Sequence, residues 1–555
     1  MKMFVTASRA LQGKMRCIRL DVWTTPSANR RWLLVLLFVA SLYALSMNTT
    51  LYTWGDNAHY IIVGKALATG QGLTDILFPD NPAFKYPLPV FPLLLAPSIY
   101  FFDYALLPMK IIIAMIGVGV VALTYRLFQP VLGETQALLL TLLVGVSPQI
   151  VSFSHQIMTE IPYLFFSLLA VIMLEKYFAD QQWWSVLGFA AALVLSLTCL
   201  TKTIGLALII AAVLYVVCEG SWKATKHYHK AFLLLVGAGA VWMLVNLPIL
   251  SELAYVREVV NRTPYTDHAA PAEVKDFMQR IFKNFHAYTT FLPETLLYST
   301  SRISLPFVAV GSVLILLLGF VYCVWQRRTV AEYYMTFYCI ILLVYEPSNS
   351  GNMQRYLVPL IPFLLYYFVQ GVRQLKVGLL KYGPRIMSLV LLRSVAPVVR
   401  GRMRSVATVL HMATLIALVL VNLTETIQAS IAKTAPEMFD YYRFAPWEEY
   451  KQLALWTKQH TPPDALIMTR LVYMFHLWSQ RKVVEYPDGN VGRDAEALWQ
   501  AVYKTKADYL IVDAFADERT STYDAISDVI QNHPDRFAFS HQEGPHRIYR
   551  VVPRR

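Results

Sequence analysis

YPLPVFPLLLAPSIYFF, residues 86–102, is the stretch on which the topology of this chain turns. It is apolar enough to pass for a membrane span, yet it holds four prolines. A proline inside a helix removes a backbone donor and clashes with the preceding turn. If the segment crossed a bilayer, every later connection would change sides. It reads instead as a re-entrant or interfacial piece packed against other helices.

The surrounding sequence makes a bilayer the relevant solvent. Of 555 residues, 56% are hydrophobic and 15% are charged. Soluble domains carry about 25% charged residues. Mean hydropathy is +0.44. The chain is a polytopic α-helical membrane protein. Its net charge of +13 reports orientation rather than nucleic-acid binding, because the basic residues gather in particular loops. The five cysteines show no zinc or disulfide spacing and read as inert thiols.

Apolar runs of about 20 residues span a bilayer. About eleven candidates fall near 32–48, 105–125, 135–151, 161–179, 183–200, 203–218, 231–250, 303–325, 331–347, 355–372 and 405–424. Residues 1–31 form a basic segment, read as cytoplasmic. From that start, even-numbered loops lie inside. The loop from Trp222 to Lys230 carries three lysines, Arg327 and Arg328 form a pair, and 373–404 holds eight Lys/Arg and no acid. All three basic loops fall on the inner side. The outer face then receives loops 48–104 and 251–302 and the tail. Residues 32–430 are the transmembrane part, and 431–555 an extracytoplasmic α/β domain. In the tail, helices are expected at 446–460, 493–506 and 521–533. Strands are expected at 465–470 and 507–513, followed by a terminal hairpin. That alternation predicts a mostly parallel sheet. No P-loop or GxGxxG occurs there, and Asp513 reads as a solvated strand end.

Acids and cations then collect on the outer side. Asp56 precedes an amphipathic helix expected to lie along the membrane surface and to end at Gly70 and Gly72. Its side chain is a natural N-cap, and a carboxylate held by backbone donors stays ionised, as a positioned base must. Glu160 opens the fourth span, two residues before Pro162. Acids at membrane depth are costly and mark reaction or transport paths. His155 is a candidate ligand or hydrogen-bonding partner. Lys85 and Arg355 sit where they either snorkel to headgroups or grip a phosphate. The 251–302 loop carries Arg257, Arg262, His268, Lys275, Arg280, Lys283 and His286. It reads as a cover for the site or as a segment resting on anionic lipid.

In their order, shared side and spacing, these residues resemble the GT-C superfamily of polyprenyl-phosphate-sugar glycosyltransferases. The similarity is to the branch of the protein O-mannosyltransferases and the lipid A aminoarabinose transferase. The motifs are GDNAHY with Asp56 and Tyr60, KYPLP with Lys85, TEIP with Glu160, and RYLVP from Arg355. Asn57 stands where an acid often follows the first aspartate. Glu160 replaces the commoner Asp, and Phe84 precedes Lys85 in place of an acid.

The resemblance implies a GT-C-like fold and an inverting transfer of a sugar from a polyprenyl-phosphate donor. Asp56 would be the base and Glu160 would orient the acceptor. Lys85 and Arg355 would hold the lipid phosphate, with Tyr60, His59 and His155 at the substrates. The acceptor is a lipid, a glycan or a protein. No cofactor is required on this reading; a divalent metal stays open, with His59, His155 and Glu160 as its candidate ligands. The expected location is the bacterial inner membrane, with the N-terminus cytoplasmic and the C-terminal domain periplasmic. A transporter or flippase, and a non-catalytic lipid-binding relative, remain the alternatives.

Overall fold

The computed structural model describes residues 26–51, 56–84, 88–180, 182, 184–219, 225–246, 261, 271–297, 306–345, 350–390, 396–432, 447–486, 495–515 and 529–552. Among the described residues, the first sixteen helices form a bundle. They are α1 (Pro26–Ser46), α2 (Asn57–Ala68), α3 (Val90–Phe102), α4 (Leu106–Leu132), α5 (Glu134–Gly145), α6 (Pro148–Phe153), α7 (Glu160–Ala179) and α8 (Val186–Thr201). Then come α9 (Leu206–Glu219), α10 (Thr225–Asn246), α11 (Val274–Leu297), α12 (Pro306–Gln326), α13 (Val330–Val344), α14 (Ser350–Leu357), α15 (Ile361–Val390) and α16 (Ala396–Ala432). Within the described residues the eleven apolar runs are largely helical, but 135–151 is split between α5 and α6, and 355–372 between α14 and α15. Among the described residues, five stretches are long and apolar enough to cross a membrane: Leu106–Leu132, Glu160–Ala179, Ala309–Gln326, Met353–Lys381 and Thr408–Gln428. Six further apolar helices are shorter.

The proline-rich stretch is helical from Val90, with Pro97 inside the helix. Its 13 residues measure about 20 Å at 1.5 Å per residue, well short of a hydrocarbon core of about 30 Å. It lies alongside α2. Phe91 meets Tyr60 edge-on at 5.0 Å, Leu95 and Ile99 close over Gly64, and Asp103 at its end pairs with Lys65 at 2.5 Å. Both ends of α3 therefore stay beside one short helix. A Cβ on Gly64 would meet Ile99 at 2.8 Å, so glycine permits the approach.

Helix α2 departs from expectation. It is buried from Asn57 to Gly64 and at Ala66 rather than resting on a surface. Leu67 and Lys65 carbonyls are capped by the backbone of Thr69 and Gly70, and Gly70 and Gly72 both take positive φ (76°) as the chain turns away. Elsewhere two spans meet backbone to backbone. A Cβ on Gly319 of α12 would run into the carbonyl of Tyr367 on α15, and one on Gly371 into the carbonyl of Ile315. Small residues at such crossings let transmembrane helices pack closely.

Charged side chains gather at one end of α13. At its start, Thr329 and Glu332 form a capping box, Arg327 bonds the Tyr366 hydroxyl, and Arg328 lies 3.6 Å from Glu219. Its far end, about 22 Å away over 15 residues, meets α14, where Tyr345 and Tyr356 are in ring contact.

The C-terminal part contains α17 (Trp447–His460), β1 (Leu466–Thr469), α18 (Val472–Ser479), β2 (Lys482–Glu485), α19 (Ala495–Thr505), β3 (Tyr509–Val512), β4 (Phe537–Glu543) and β5 (His546–Val551). The sheet order is β2-β1-β3-β5-β4. β1 pairs in parallel with β2 and β3, while β5 pairs antiparallel with β3 and β4. The sheet is therefore mixed rather than mostly parallel, because the final hairpin adds its strands to the β3 edge. α18 and β2 were not foreseen. Of the helix expected at 521–533, only the end from 529 is described, and it is helical. Asp513 is buried and pairs with Arg470 at 2.8 Å rather than facing water.

Candidate active site

The site forms where α2, α7, α8 and α14 bring their ends together. Glu160 is the first residue of α7 and is fully buried. Its Oε1 accepts from Lys202 Nζ at 2.7 Å and from Arg355 Nε. Arg355, on α14, reaches onward from Nη2 to Asp56 Oδ2 at 3.1 Å. Three residues singled out in sequence, separated by up to 299 positions, thus form one chain of ion pairs. The Asp56 side chain is 51% exposed and the Arg355 side chain 13%, so Asp56 is the member open to an incoming substrate.

Asp56 occupies the N-cap position of α2 but makes no side-chain capping bond, contrary to expectation. Arg355 Nη2 holds its carboxylate instead, at 3.1 Å. Nearby, Asn57 is buried, and its Oδ1 accepts the Ile157 backbone N–H at 3.0 Å. The residue that replaces an expected acid therefore ties the first acidic segment to the second. Tyr60, one turn on, is buried. Burial pushes its phenol well above the ordinary range, with Asp56 adding and Arg355 opposing, so it stays a neutral hydroxyl.

Lys202 was not anticipated. It caps α8 in the short link before Leu206, is nearly buried, and places its ammonium 5.0 Å from the Tyr356 ring. Burial pulls its pKa below the usual lysine range, while Glu160 opposes the shift. The available signal was a lysine isolated between two apolar runs, on the side that the sequence reading places outside.

Two histidines go elsewhere. His155 is buried and pairs through Nε2 with the Tyr43 carbonyl at 3.1 Å, with its ring edge-on to Tyr43. His59 pairs with Asp75 at 2.5 Å and stacks on Tyr473 at 4.1 Å between ring centroids. The contacts described for both lie apart from the Asp56–Arg355–Glu160 chain. Lys85 lies outside the described residues, as do Arg257, Arg262 and His268. Lys275, Arg280, Lys283 and His286 lie on α11, within the segment expected either to cover the site or to rest on anionic lipid. Its Asn284 donates to the carbonyls of Leu342, Leu343 and Tyr345 and so closes the end of α13 beside α14.

Glu160 Oε2 is buried and has no hydrogen-bond partner among the described residues. Such an oxygen costs about 1–3 kcal/mol while unmatched, so it is a point where a donor from a substrate would be stabilised. Among the described residues, no three His, Cys, Asp or Glu side chains gather as a metal site would need.

Comparison with known proteins bears on the fold. The family described as Dolichyl-phosphate-mannose-protein mannosyltransferase matches residues 80–249. ArnT from Cupriavidus metallidurans, solved bound to undecaprenyl phosphate, superposes with a TM-score of 0.55 at 12% identity, covering 94% of this chain and 99% of ArnT. The archaeal oligosaccharyltransferase AglB from Archaeoglobus fulgidus, solved with an inhibitory peptide and a dolichol-phosphate, gives 0.54 at 12% identity, covering 86% and 69%. No curated protein sequence matches the chain. The fold is that of the GT-C polyprenyl-phosphate-sugar glycosyltransferases, as the sequence motifs implied.

Proposed function

We propose that the chain is an inverting glycosyltransferase that moves a sugar from a polyprenyl-phosphate donor to an acceptor at the outer face of a bacterial inner membrane. The observation that carries the reading is the Asp56–Arg355–Glu160 chain, built from three helix ends on a GT-C fold. Eleven spans with the N-terminus inside place the charged end of α13 at Arg327 and Arg328 in the cytoplasm. The opposite end, with Asp56, Glu160, Lys202 and Arg355, and the C-terminal α/β domain are then periplasmic. This separates the bundle, residues 32–430, from the domain at 431–555.

The residues divide the work as follows. Asp56 takes the proton from the acceptor hydroxyl. The hydroxyl oxygen attacks the anomeric carbon from the face opposite the phosphate, and the carbon–oxygen bond to phosphate breaks. The electron pair leaves with polyprenyl phosphate, whose growing charge is met by Arg355 and Lys85. Glu160, paired with Arg355 and Lys202, presents Oε2 to a second hydroxyl and sets the acceptor's orientation. Tyr60, being neutral, donates at the same position.

The test follows release of free polyprenyl phosphate from polyprenyl-phosphate sugars by purified protein. Asp56→Asn should lower turnover by at least about 10²-fold, within the range for a positioned base, while donor binding persists. Turnover that survives the substitution removes Asp56 from the chemistry. A lipid-flipping activity indifferent to Asp56→Asn would favour a transporter instead.

A further inference from the structure

The C-terminal domain grips the first outer loop at several points. Residues 74–83 fold back on themselves through a bridge between Thr74 and Ala83, with Asp75 N–H donating to Pro82 O at 2.8 Å. Lys482, on edge strand β2, donates to the carbonyls of Ile76 (2.6 Å) and Phe78 (2.9 Å) and to Asn81 Oδ1 (2.6 Å). The Val483 N–H donates to Leu77 O at 2.9 Å. The loop thus occupies part of the exposed edge of the sheet, where unpaired backbone groups seek a partner. Leu77 is fully buried in this contact.

The grip leads toward Asp56. Asp75, inside the clamped turn, holds His59. The His59 ring stacks on Tyr473 of α18 and meets Phe84 edge-on at 4.8 Å. His59 is three residues beyond Asp56, in the first turn of α2. The other side of that turn is tied by Asn57 to Ile157. Asp56 itself has no capping bond to fix it. Besides the Arg355 contact at its carboxylate, its position is set by two anchors on the following turn, and one of them reaches the C-terminal domain.

We propose that the C-terminal domain is a positioning element for Asp56, with Tyr473 and Lys482 acting through Asp75 and His59. This rests on the glycosyltransferase reading, so the test has two independent arms. In full-length protein, Tyr473→Ala and Lys482→Ala are compared with wild type by amide hydrogen exchange and by polyprenyl-phosphate release. Expected are faster exchange in 57–62 and 74–84, and about tenfold lower kcat with donor KM changed less than twofold. Tyr473→Phe, which keeps the stacked ring, should restore both. Faster exchange at 74–84 with unchanged kcat would overturn the proposal, and so would unchanged exchange at 57–62. Should wild type turn over no polyprenyl-phosphate sugar, the glycosyltransferase reading fails. The exchange arm then still decides the coupling: acceleration at 57–62 upholds it and its absence refutes it. A general loss of protection across α17 and the sheet in one variant transfers the decision to the other, since the two grip the loop at separate points.

Discussion

Replacing Glu160 by glutamine strips the shared carboxylate from the centre of the site. The Glu160 side chain is 0% exposed and that of Lys202 10%. Glu160 is the one carboxylate within ion-pair distance of Lys202 among the described residues, whereas Arg355 keeps Asp56. The cost therefore falls mainly on Lys202, left buried opposite an amide. Removing one partner of a buried pair costs about 3–5 kcal/mol; the residual exposure of Lys202 and the surviving Arg355–Asp56 contact place this case near 3. Unfolding entropy of about 2.1 cal/mol/K per residue gives about 1.2 kcal/mol/K for 555 residues, so the melting temperature should drop by about 2–3 °C. Lys202→Met leaves Glu160 with Arg355 and should cost about half as much, since one charged contact survives. The double variant should recover part of the Glu160→Gln loss, giving a coupling of about 1.5–3 kcal/mol. Thermal unfolding in detergent of the four proteins measures it. Effects that add to within about 0.5 kcal/mol would refute a shared buried charge cluster.

Other outcomes follow from single contacts. Because burial lowers the Lys202 pKa, raising the pH removes its charge before the ordinary lysine range is reached. The kcat/KM profile should therefore fall early on its alkaline side, and Lys202→Arg, charged throughout, should move that limb upward. Gly319→Val would drive a branched side chain into the Tyr367 carbonyl and should cost about 3 kcal/mol by overpacking. Gly311→Val, with nothing within 4 Å of its Cβ position, should be near neutral in the same unfolding assay. His476 is pushed down to about 4 by burial, against a backbone bond to Arg481. The unfolded chain then takes the proton first, so the C-terminal domain should lose about 3 kcal/mol as pH falls from about 6.5 to 4. Hydrogen exchange of β1 and β2 against pH reads this loss, and His476→Phe should flatten it.

The helical bundle was legible because a span announces itself by length and apolarity alone. The proline-rich segment was legible too, since breakers at four places limit how far any helix can run. Asp56, Glu160 and Arg355 could be singled out as boundary charges on one side. Their union could not, as nothing local links positions 299 residues apart. Lys202 escaped notice because a two-residue gap between the apolar runs 183–200 and 203–218 looks like a pause within one hydrophobic stretch. The surface helix was misplaced for a different reason. Its apolar face predicts burial but not against what, and the covering surfaces are α3 and a domain some 400 residues later. Sheet direction failed at the last hairpin. β3 is flanked on one side by a parallel strand and on the other by β5, and only the three-dimensional order reveals which edge the hairpin joins.

The charge balance of the site says which contact must yield when a donor arrives on the proposed reading. Asp56 and Glu160 carry two negative charges, and Arg355 and Lys202 two positive ones. The cluster is neutral and offers little net attraction to a phosphate until a cation is released. Arg355 has two bonds to choose between. Its partner Glu160 is fully buried, and separating that pair strands a charge in a medium of low polarity, at several kcal/mol. Its partner Asp56 is half exposed, and a contact of that kind is worth about 0–1 kcal/mol because water replaces it. The Asp56 bond is the one that opens. Opening it frees a guanidinium edge for phosphate and, in the same motion, a carboxylate for the acceptor proton. Lys202 keeps Glu160 compensated throughout, so the buried half of the cluster need not rearrange. A donor-analogue titration of Arg355→Lys checks this division. A lysine cannot bridge Glu160 and phosphate at once, so donor affinity should fall about tenfold or more, while the melting temperature without donor shifts by less than that of Glu160→Gln.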